Sequence, residues 1–515
     1  MSLSLAAVLA ESALRRPDHP ALVTTSTTLT YRELWAGARH HAAVLRRHGI
    51  GPGDRVALLL PNSPHFPKAY FGALALGATV VPMPTTLRTG EIAYILEDSA
   101  AAALICTAEL RDAGGGTAAA STGTPVLTVT GELAAGAEPI DDLVPRSPSD
   151  IALILYTSGT TGQPKGAMLT HLNVFLNVEL GMESPFAMDG DDVLLGCLPL
   201  FHTFGQICGM NTTFRAGATM VLMERFEAAR AVELMARHGC TVLMGVPTMY
   251  LALLAATEHD APRRRLDRAY SGGAALPVAV LESFEERFGC PIYEGYGLTE
   301  TSPVVAYNQK AWPRRPGTVG RPIWGVEVAI ARADLDDRVE LLPAGEVGEI
   351  VIRGHNVMAG YLNRPEATVE AIVDGWFRSG DLGVRDDDGY LRIVDRKKDM
   401  VIRGGYNVYP RELEETLARH PAVAQVAVIG VPHDTLGEEV CAVIVPRPGT
   451  EQDETLPGAI VAWCRERMAG YKYPRLVVLT DAMPLGPSGK VLKRELTARF
   501  AVPVAPMSRG GNAER

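Results

Sequence analysis

The chain is poor in cysteine, has no long apolar run and carries no surplus of positive charge, and each absence removes a class of function. Seven cysteines in 515 residues, none in C-x-x-C or another metal-ligand spacing, offer no zinc or cluster pattern. They read as buried inert thiols and suit a reducing, cytoplasmic setting. The longest apolar stretch, around Phe71–Val81, is about half a membrane span and ends at Pro82, so no transmembrane segment is expected. The start Met1–Glu11 lacks a basic n-region and reads as an amphipathic helix rather than a secretory signal. Lysine and arginine number 49 against 59 aspartate and glutamate, a net charge of −10. That balance argues against nucleic acid as the main partner and gives no electrostatic reason for adhesion to anionic lipid.

What the chain does have is concentrated in Tyr156-Thr157-Ser158-Gly159-Thr160-Thr161-Gly162-Gln163-Pro164-Lys165-Gly166, directly after the apolar run Ile151–Leu155. Glycines let a backbone bring its N–H groups close to an anion. Hydroxyls add donors, and the lysine adds a mobile point charge. The composition reads as a polyphosphate cradle. It is not a Walker A loop, because Gln163 and Pro164 separate Gly162 from Lys165. An ordinary Gly/Ser/Thr loop between strand and helix has similar ingredients.

The length predicts two or more domains. In the first half, helical and strand patterns alternate, which implies a parallel sheet covered on both faces. Thr30-Tyr31-Arg32-Glu33 reads as a capping box opening a helix to about Arg47. Strands are expected at Val56–Leu60, Thr79–Val81 and Ala103–Cys106, with helices near Pro64–Leu76 and Gly90–Leu96. The Ala/Gly/Thr-rich stretch Ala113–Thr124 reads as a low-complexity surface loop. From about Gly345 the pattern becomes short and β-rich, and a smaller α+β pattern follows the cluster Arg396-Lys397-Lys398-Asp399.

Four further segments carry chemistry. Tyr296-Gly297-Leu298-Thr299-Glu300 places an aromatic, a flexible glycine and a carboxylate in one turn; beside Ser271-Gly272-Gly273-Ala274 the ring could sandwich a planar base. A lone glutamate facing phosphates is a natural Mg²⁺ ligand. Trp376-Phe377-Arg378-Ser379-Gly380-Asp381 ends in an acid suited to two ribose hydroxyls, and Arg396 could contact ribose or phosphate. Pro487-Ser488-Gly489-Lys490 offers a lysine on a loop. Singly each is bland: Glu300 could cap a helix, Asp381 could close a turn, and Lys490 could be one solvated lysine among many.

In this order and at these separations the segments resemble the adenylate-forming superfamily: acyl-CoA synthetases, peptide-synthetase adenylation domains and firefly luciferase. The likeness runs from the first helix to about Leu496 and is strongest to bacterial fatty-acyl-CoA synthetases. It implies an α/β fold with a large N-terminal domain of layered sheets and helices (αβαβα), a β-rich subdomain, and a small mobile α+β C-terminal domain. The expected boundaries are 1–395, a hinge at 396–398, a lid at 399–500 and a disordered tail at 501–515. The implied reaction is carboxylate plus ATP giving acyl-AMP and pyrophosphate, then thiol attack giving a thioester and AMP. ATP, Mg²⁺ and coenzyme A are the implied cofactors; an acyl carrier protein is the alternative thiol, and a homodimer is an admissible assembly.

By the same resemblance, Thr157, Ser158, Gly159, Thr160, Thr161, Gly162 and Lys165 match the loop for the β- and γ-phosphates. Gly273 and Ala274 match one face of the adenine site and Tyr296, followed by Gly297, the other. Thr299 matches the α-phosphate contact, Glu300 the Mg²⁺ ligand, Asp381 the ribose ligand and Arg396 its neighbour. Lys490 matches the lysine bridging substrate carboxylate and α-phosphate; Lys490, Glu300, Thr160 and His202 form the expected catalytic set. Lys398 matches the hinge, and Gly404-Gly405 the segment that the swing brings against pantetheine.

Leu198-Pro199-Leu200-Phe201-His202-Thr203-Phe204-Gly205 resembles a segment of fatty-acyl and aryl-CoA synthetases that places His202 between acyl pocket and thiol tunnel. The matching pocket positions, Thr203–Asn211, Gly245–Thr248 and Thr301–Val305, are mostly apolar or small, with no Arg or Lys. A second carboxylate would be unpaired there. A medium or long fatty acid is therefore expected, with an aryl acid as the alternative, and coenzyme A as the acceptor. The rival from another class, an NTPase or kinase, would release ADP and orthophosphate or a phosphorylated product.

Overall fold

Side chains along the strand Arg55–Leu59 go alternately to two different cores: Val56 and Leu58 to one, Ala57 and Leu59 to the other. A strand buried on both faces belongs to a sheet sandwiched by other layers. The computed structural model, which describes residues 3–134, 136–157, 163–257 and 266–500, shows that arrangement. The expected tail 501–515 lies outside the described residues.

Two units divide the chain: Met1–Ile393 with Pro487–Lys490, and Val394–Gly486 with Val491–Arg515. The division falls inside the strand Leu391–Arg396.

The large unit holds two extensive sheets. The seven-stranded one runs, edge to edge, Gly360–Tyr361, Lys165–Thr170, Ile151–Thr157, Thr79–Pro82, Arg55–Leu59, Ala103–Cys106 and Val126–Thr128. Its inner strands are parallel, and the hairpin at one end is antiparallel. Helices Thr89–Asp98 and Gly116–Thr122 cover one face through Ile92, Ile95, Ala118 and Ala119. On the other, helices Tyr31–Arg47 and His65–Ala75 join a larger core that also takes in Leu194, Leu195, Val221 and Val242 of the nine-stranded sheet. A five-stranded antiparallel sheet built on Val326–Ala331, Gly348–Gly354 and Trp376–Arg385 forms the β-rich part.

The capping box at Thr30 is present: its hydroxyl accepts from the Glu33 amide at 3.3 Å, and its own amide donates to Glu33 at 2.8 Å. The stretch Ala113–Thr124 departs from expectation. It forms a wide helical turn, Arg111–Gly115, running into the helix Gly116–Thr122. Its small residues are what permit it: Ala118 and Ala119 are fully buried against the sheet, so an alanine run that looks featureless is a packing face.

The small unit is a five-stranded sheet whose long strand Gly437–Pro446 splits its side chains by parity. Val440, Ala442 and Ile444 meet helices Pro410–Leu417 and Leu456–Arg467, while Cys441 and Val443 meet Leu496 of Lys493–Phe500. Among the described residues no helix is long and apolar enough to cross a membrane.

Candidate active site

The hairpin after Ile151 carries the site's first half. Thr157 pairs opposite Lys165, and Tyr361 of the added edge strand pairs opposite Ala167. Side chains alternate faces along a strand, so Thr157, Lys165 and Tyr361 share one face while Tyr156 points to the other. Tyr156 donates to Asp98 at 2.7 Å. The residue facing it is glycine, because a Cβ on Gly166 would come within 2.8 Å of Ile154 and 3.2 Å of the Tyr156 ring. Tyr94 steadies the C-terminal flank by donating to the Pro164 carbonyl at 2.9 Å. Ser158, Gly159, Thr160, Thr161 and Gly162 lie outside the described residues.

Glu300 comes from a different sheet. It sits in the single turn Thr299–Thr301, after the strand Ile292–Gly297 of the nine-stranded sheet. Its Oε1 accepts from the Thr157 hydroxyl at 3.1 Å and the Tyr361 hydroxyl at 3.0 Å. The Lys165 ammonium lies over the Tyr361 ring, 5.3 Å from its centre. Burial first, then the Glu300 charge, push the Tyr361 hydroxyl far above its ordinary range, so it remains a donor. Tyr361 has no counterpart among the residues expected from sequence. Its surroundings, Gly360-Tyr361-Leu362-Asn363-Arg364, look like any strand-to-helix junction.

Among the described residues both hydrogen bonds to the Glu300 carboxylate fall on Oε1. The second carboxylate oxygen, a hard anionic donor, suits Mg²⁺, which takes one or two carboxylates and leaves its other positions to water and phosphate. The donor set thus fits that ion, although no group of three or more His, Cys, Asp or Glu gathers for a metal among the described residues.

Tyr296 and Asp381, expected at adenine and ribose, are held together: the tyrosine hydroxyl donates to Asp381 Oδ2 at 2.7 Å. Gly297 admits no side chain, since a Cβ would sit 2.0 Å from the Pro303 carbonyl oxygen. Gly273 has φ +81°, and Ala274 beside it is exposed. The Lys490 Cε lies 3.2 Å from where a Cβ on Gly273 would be, and Val246 is 3.6 Å away. The Gly489 carbonyl accepts from Thr248 at 3.1 Å. Lys490 therefore stands beside Gly273 and the expected acyl segment Gly245–Thr248, within the large unit.

His202 is lowered to about 3, first by burial and then by the Lys490 charge. Its Nδ1 accepts from the Phe204 amide at 3.2 Å, so the neutral ring carries its proton on Nε2. A ring in that state donates; it does not take a proton from a thiol. Behind it, Phe204–Asn211 forms a wide helical turn with every residue buried. The Phe204 ring and the Tyr307 hydroxyl each lie 3.3 Å from a Cβ placed on Gly272. Beside Gly205 and Gly209 is a void of about 10 Å³ lined by Leu194, Met220 and Met244.

In the small unit, Arg396 ends the strand Leu391–Arg396 and its carbonyl accepts from Asp399 at 3.0 Å. Lys398 is exposed within that turn. Asp395, buried, accepts from the Arg411 amide at 2.9 Å. Gly404 and Gly405, at φ +57° and +84°, join the strands Val401–Arg403 and Tyr406–Val408. A two-residue hairpin loop with both φ positive demands glycine on conformational grounds alone.

The chain matches the model of the AMP-binding enzyme over residues 9–362 and of the AMP-binding enzyme C-terminal domain over 412–490. It belongs to the AMP-binding enzyme family. It is 40% identical to a feruloyl-CoA synthase of Amycolatopsis over 490 residues, 94% of this chain and 96% of that protein. To a long-chain-fatty-acid–CoA ligase of Bacillus subtilis it is 33% identical over 532 residues, 96% and 94% of the two chains. ATP-bound MatB of Rhodopseudomonas palustris superimposes with a TM-score of 0.88 at 34% identity, covering 97% of this chain and 99% of that one. The α/β architecture, with a large N-terminal and a smaller C-terminal domain, is that of adenylate-forming CoA ligases.

Proposed function

We propose that this AMP-forming acid–CoA ligase activates an aromatic, hydroxycinnamate-like acid. The carboxylate oxygen attacks the α-phosphorus of ATP and the bond to the bridging oxygen breaks, giving acyl-AMP and pyrophosphate. The sulfur of coenzyme A, its proton given up to solvent, then attacks the acyl carbon, and AMP leaves. The observation that carries the reading is the Glu300 carboxylate bound to Thr157 and Tyr361 beside Lys165, which sets an acid and a cation at the mouth of the hydroxyl-rich loop.

A carboxylate approaching a phosphate anion meets like-charge repulsion, and preplaced cations offset it. Lys490, beside Gly273, would bridge the two anions, with Thr299 at the α-phosphate. Thr157, Lys165 and the loop residues Ser158–Gly162, with Thr160 among the catalytic set, would grip the leaving pyrophosphate. Mg²⁺ held by Glu300 would supply further positive charge there. Tyr296, Gly273 and Ala274 would flank adenine, with Asp381 and Arg396 at the ribose. His202, fixed as an Nε2–H donor, would mark the junction of acyl pocket and thiol channel. Lys398 would serve as the hinge and Gly404-Gly405 as the surface against pantetheine.

One observation supports an aromatic acid over the long alkyl chain expected from sequence. Identity is higher to the feruloyl-CoA synthase than to the fatty-acid ligase. The apolar space beside Gly205 and Gly209 is that of about one water, so either kind of acid would need Met220 and Met244 to move to enter it. The second reading, a fatty acid, is favoured by the flexibility of those two methionines. Ferulate, 4-coumarate, benzoate, octanoate and palmitate should be compared for pyrophosphate release with coenzyme A present. Ferulate or coumarate should give the highest kcat/KM; octanoate or palmitate leading would overturn the aromatic reading.

A further inference from the structure

Tyr361 is bonded to one charged residue of the site and covered by another. Its hydroxyl donates to Glu300 Oε1 at 3.0 Å, and the Lys165 ammonium lies 5.3 Å from its ring centre. The register explains both contacts. Tyr361 pairs opposite Ala167, so Lys165 is its diagonal neighbour on the same face, a distance that long side chains span. Glu300 reaches that face from the other sheet, 61 residues back along the chain. Direct pairing of a lysine on a flexible stem with that carboxylate would neutralise both the phosphate-binding cation and the metal-binding anion.

We propose that Tyr361 is a positioning residue that keeps Lys165 and Glu300 apart, the ring holding the ammonium and the hydroxyl fixing one carboxylate oxygen so that the other faces Mg²⁺·ATP. The inference rests on the adenylation reading above. Thr157 shares the task from the strand end, donating to the same Oε1 at 3.1 Å. Two donors on Oε1 hold that oxygen in place, as the partners of a metal-ligating carboxylate do, and leave Oε2 for the metal.

The test uses the full chain and equilibrium binding of a fluorescent, non-hydrolysable ATP analogue, titrated with Mg²⁺. Tyr361→Phe keeps the ring and removes the hydroxyl. It should raise the Mg²⁺ concentration at half-maximal binding by roughly tenfold, the lower end of the scale of one hydrogen bond to a charged group, with metal-free affinity unchanged within about twofold. Tyr361→Leu removes both functions and should also weaken metal-free binding by roughly tenfold, because Lys165 is then drawn to Glu300. Adding Glu300→Gln to Tyr361→Leu should restore the metal-free affinity, an outcome that a merely structural tyrosine does not produce. A melting temperature recorded for each variant separates misfolding from repositioning. If Tyr361→Phe melts lower while its Mg²⁺ midpoint stays at the wild-type value, the assignment is overturned. If the wild-type chain itself binds the analogue at no Mg²⁺ concentration, the adenylation reading fails first.

Discussion

The two large sheets of the N-terminal unit supply the site in different ways. In each, residues of the candidate site lie where a parallel run turns antiparallel: at Ile151–Thr157 in the seven-stranded sheet and at Ile292–Gly297 in the nine-stranded one. The seven-stranded sheet contributes hydroxyls and a cation on one hairpin face. The nine-stranded sheet contributes an aromatic from the strand, Tyr296, and a carboxylate from the turn that follows it, Glu300. The first half is a matter of local composition, and the second is a matter of fit. Gly295 shows the difference, since a Cβ there would lie 2.2 Å from the buried Tyr307 ring.

The comparison can be broken in decreasing steps. Lys490 comes from neither sheet, and Lys490→Ala should reduce acyl-AMP formation by about 10³-fold while thioester formation from supplied acyl-AMP persists. Single-turnover assays of each half-reaction measure this, and equal loss in both would reject its role. Glu300→Gln, on the nine-stranded side, should lower adenylation by about 10²-fold and flatten its Mg²⁺ dependence. Retained Mg²⁺ dependence would move the metal elsewhere.

Packing should separate the sheets next. Gly295→Ala forces a buried ring to shift and should cost about 3 kcal/mol. Gly166→Ala meets the Ile154 side chain at 2.8 Å and should cost about 1 kcal/mol. Urea unfolding of both variants gives the order, and the reverse order would contradict the contrast drawn here.

A separate effect concerns pH. Burial lowers His41 to about 3 and His171 to about 4, so both are neutral in the folded chain well below the ordinary value of 6.5. The unfolded chain takes up protons in that window and the folded chain does not. Stability is therefore complete above about pH 6.5 and falls as pH drops toward 4. Melting temperature should decline steadily over that range, and His41→Gln should make the decline shallower.

Much of this was legible in advance where the cause is local. The capping box at Thr30 needs only residues three apart, and the parallel-sheet pattern needs only alternating strands and helices. The order of Thr157, Glu300, Asp381 and Lys490 along the chain was enough to suggest the chemistry. Two things were not legible. The run Ala113–Thr124 looks like a loop because alanine and glycine carry no strong local signal, and only the neighbouring sheet makes Ala118 and Ala119 a buried face. Tyr361 escaped notice because its meaning lies in a diagonal cross-strand neighbour and a carboxylate from another sheet. Gly404 and Gly405, expected at the pantetheine tunnel, have positive φ in a two-residue hairpin loop, which by itself calls for glycine.

By itself, then, the sequence determined the class of reaction, because phosphate chemistry demands recognisable residue types: hydroxyls and glycines for a polyphosphate, a lysine for charge, an acid for a metal. Tertiary structure decided how those charges are kept usable. Whether Lys165 and Glu300 neutralise each other or face a ligand depends on an ångström-scale placement of Tyr361 between them, and that placement follows from strand register and sheet packing.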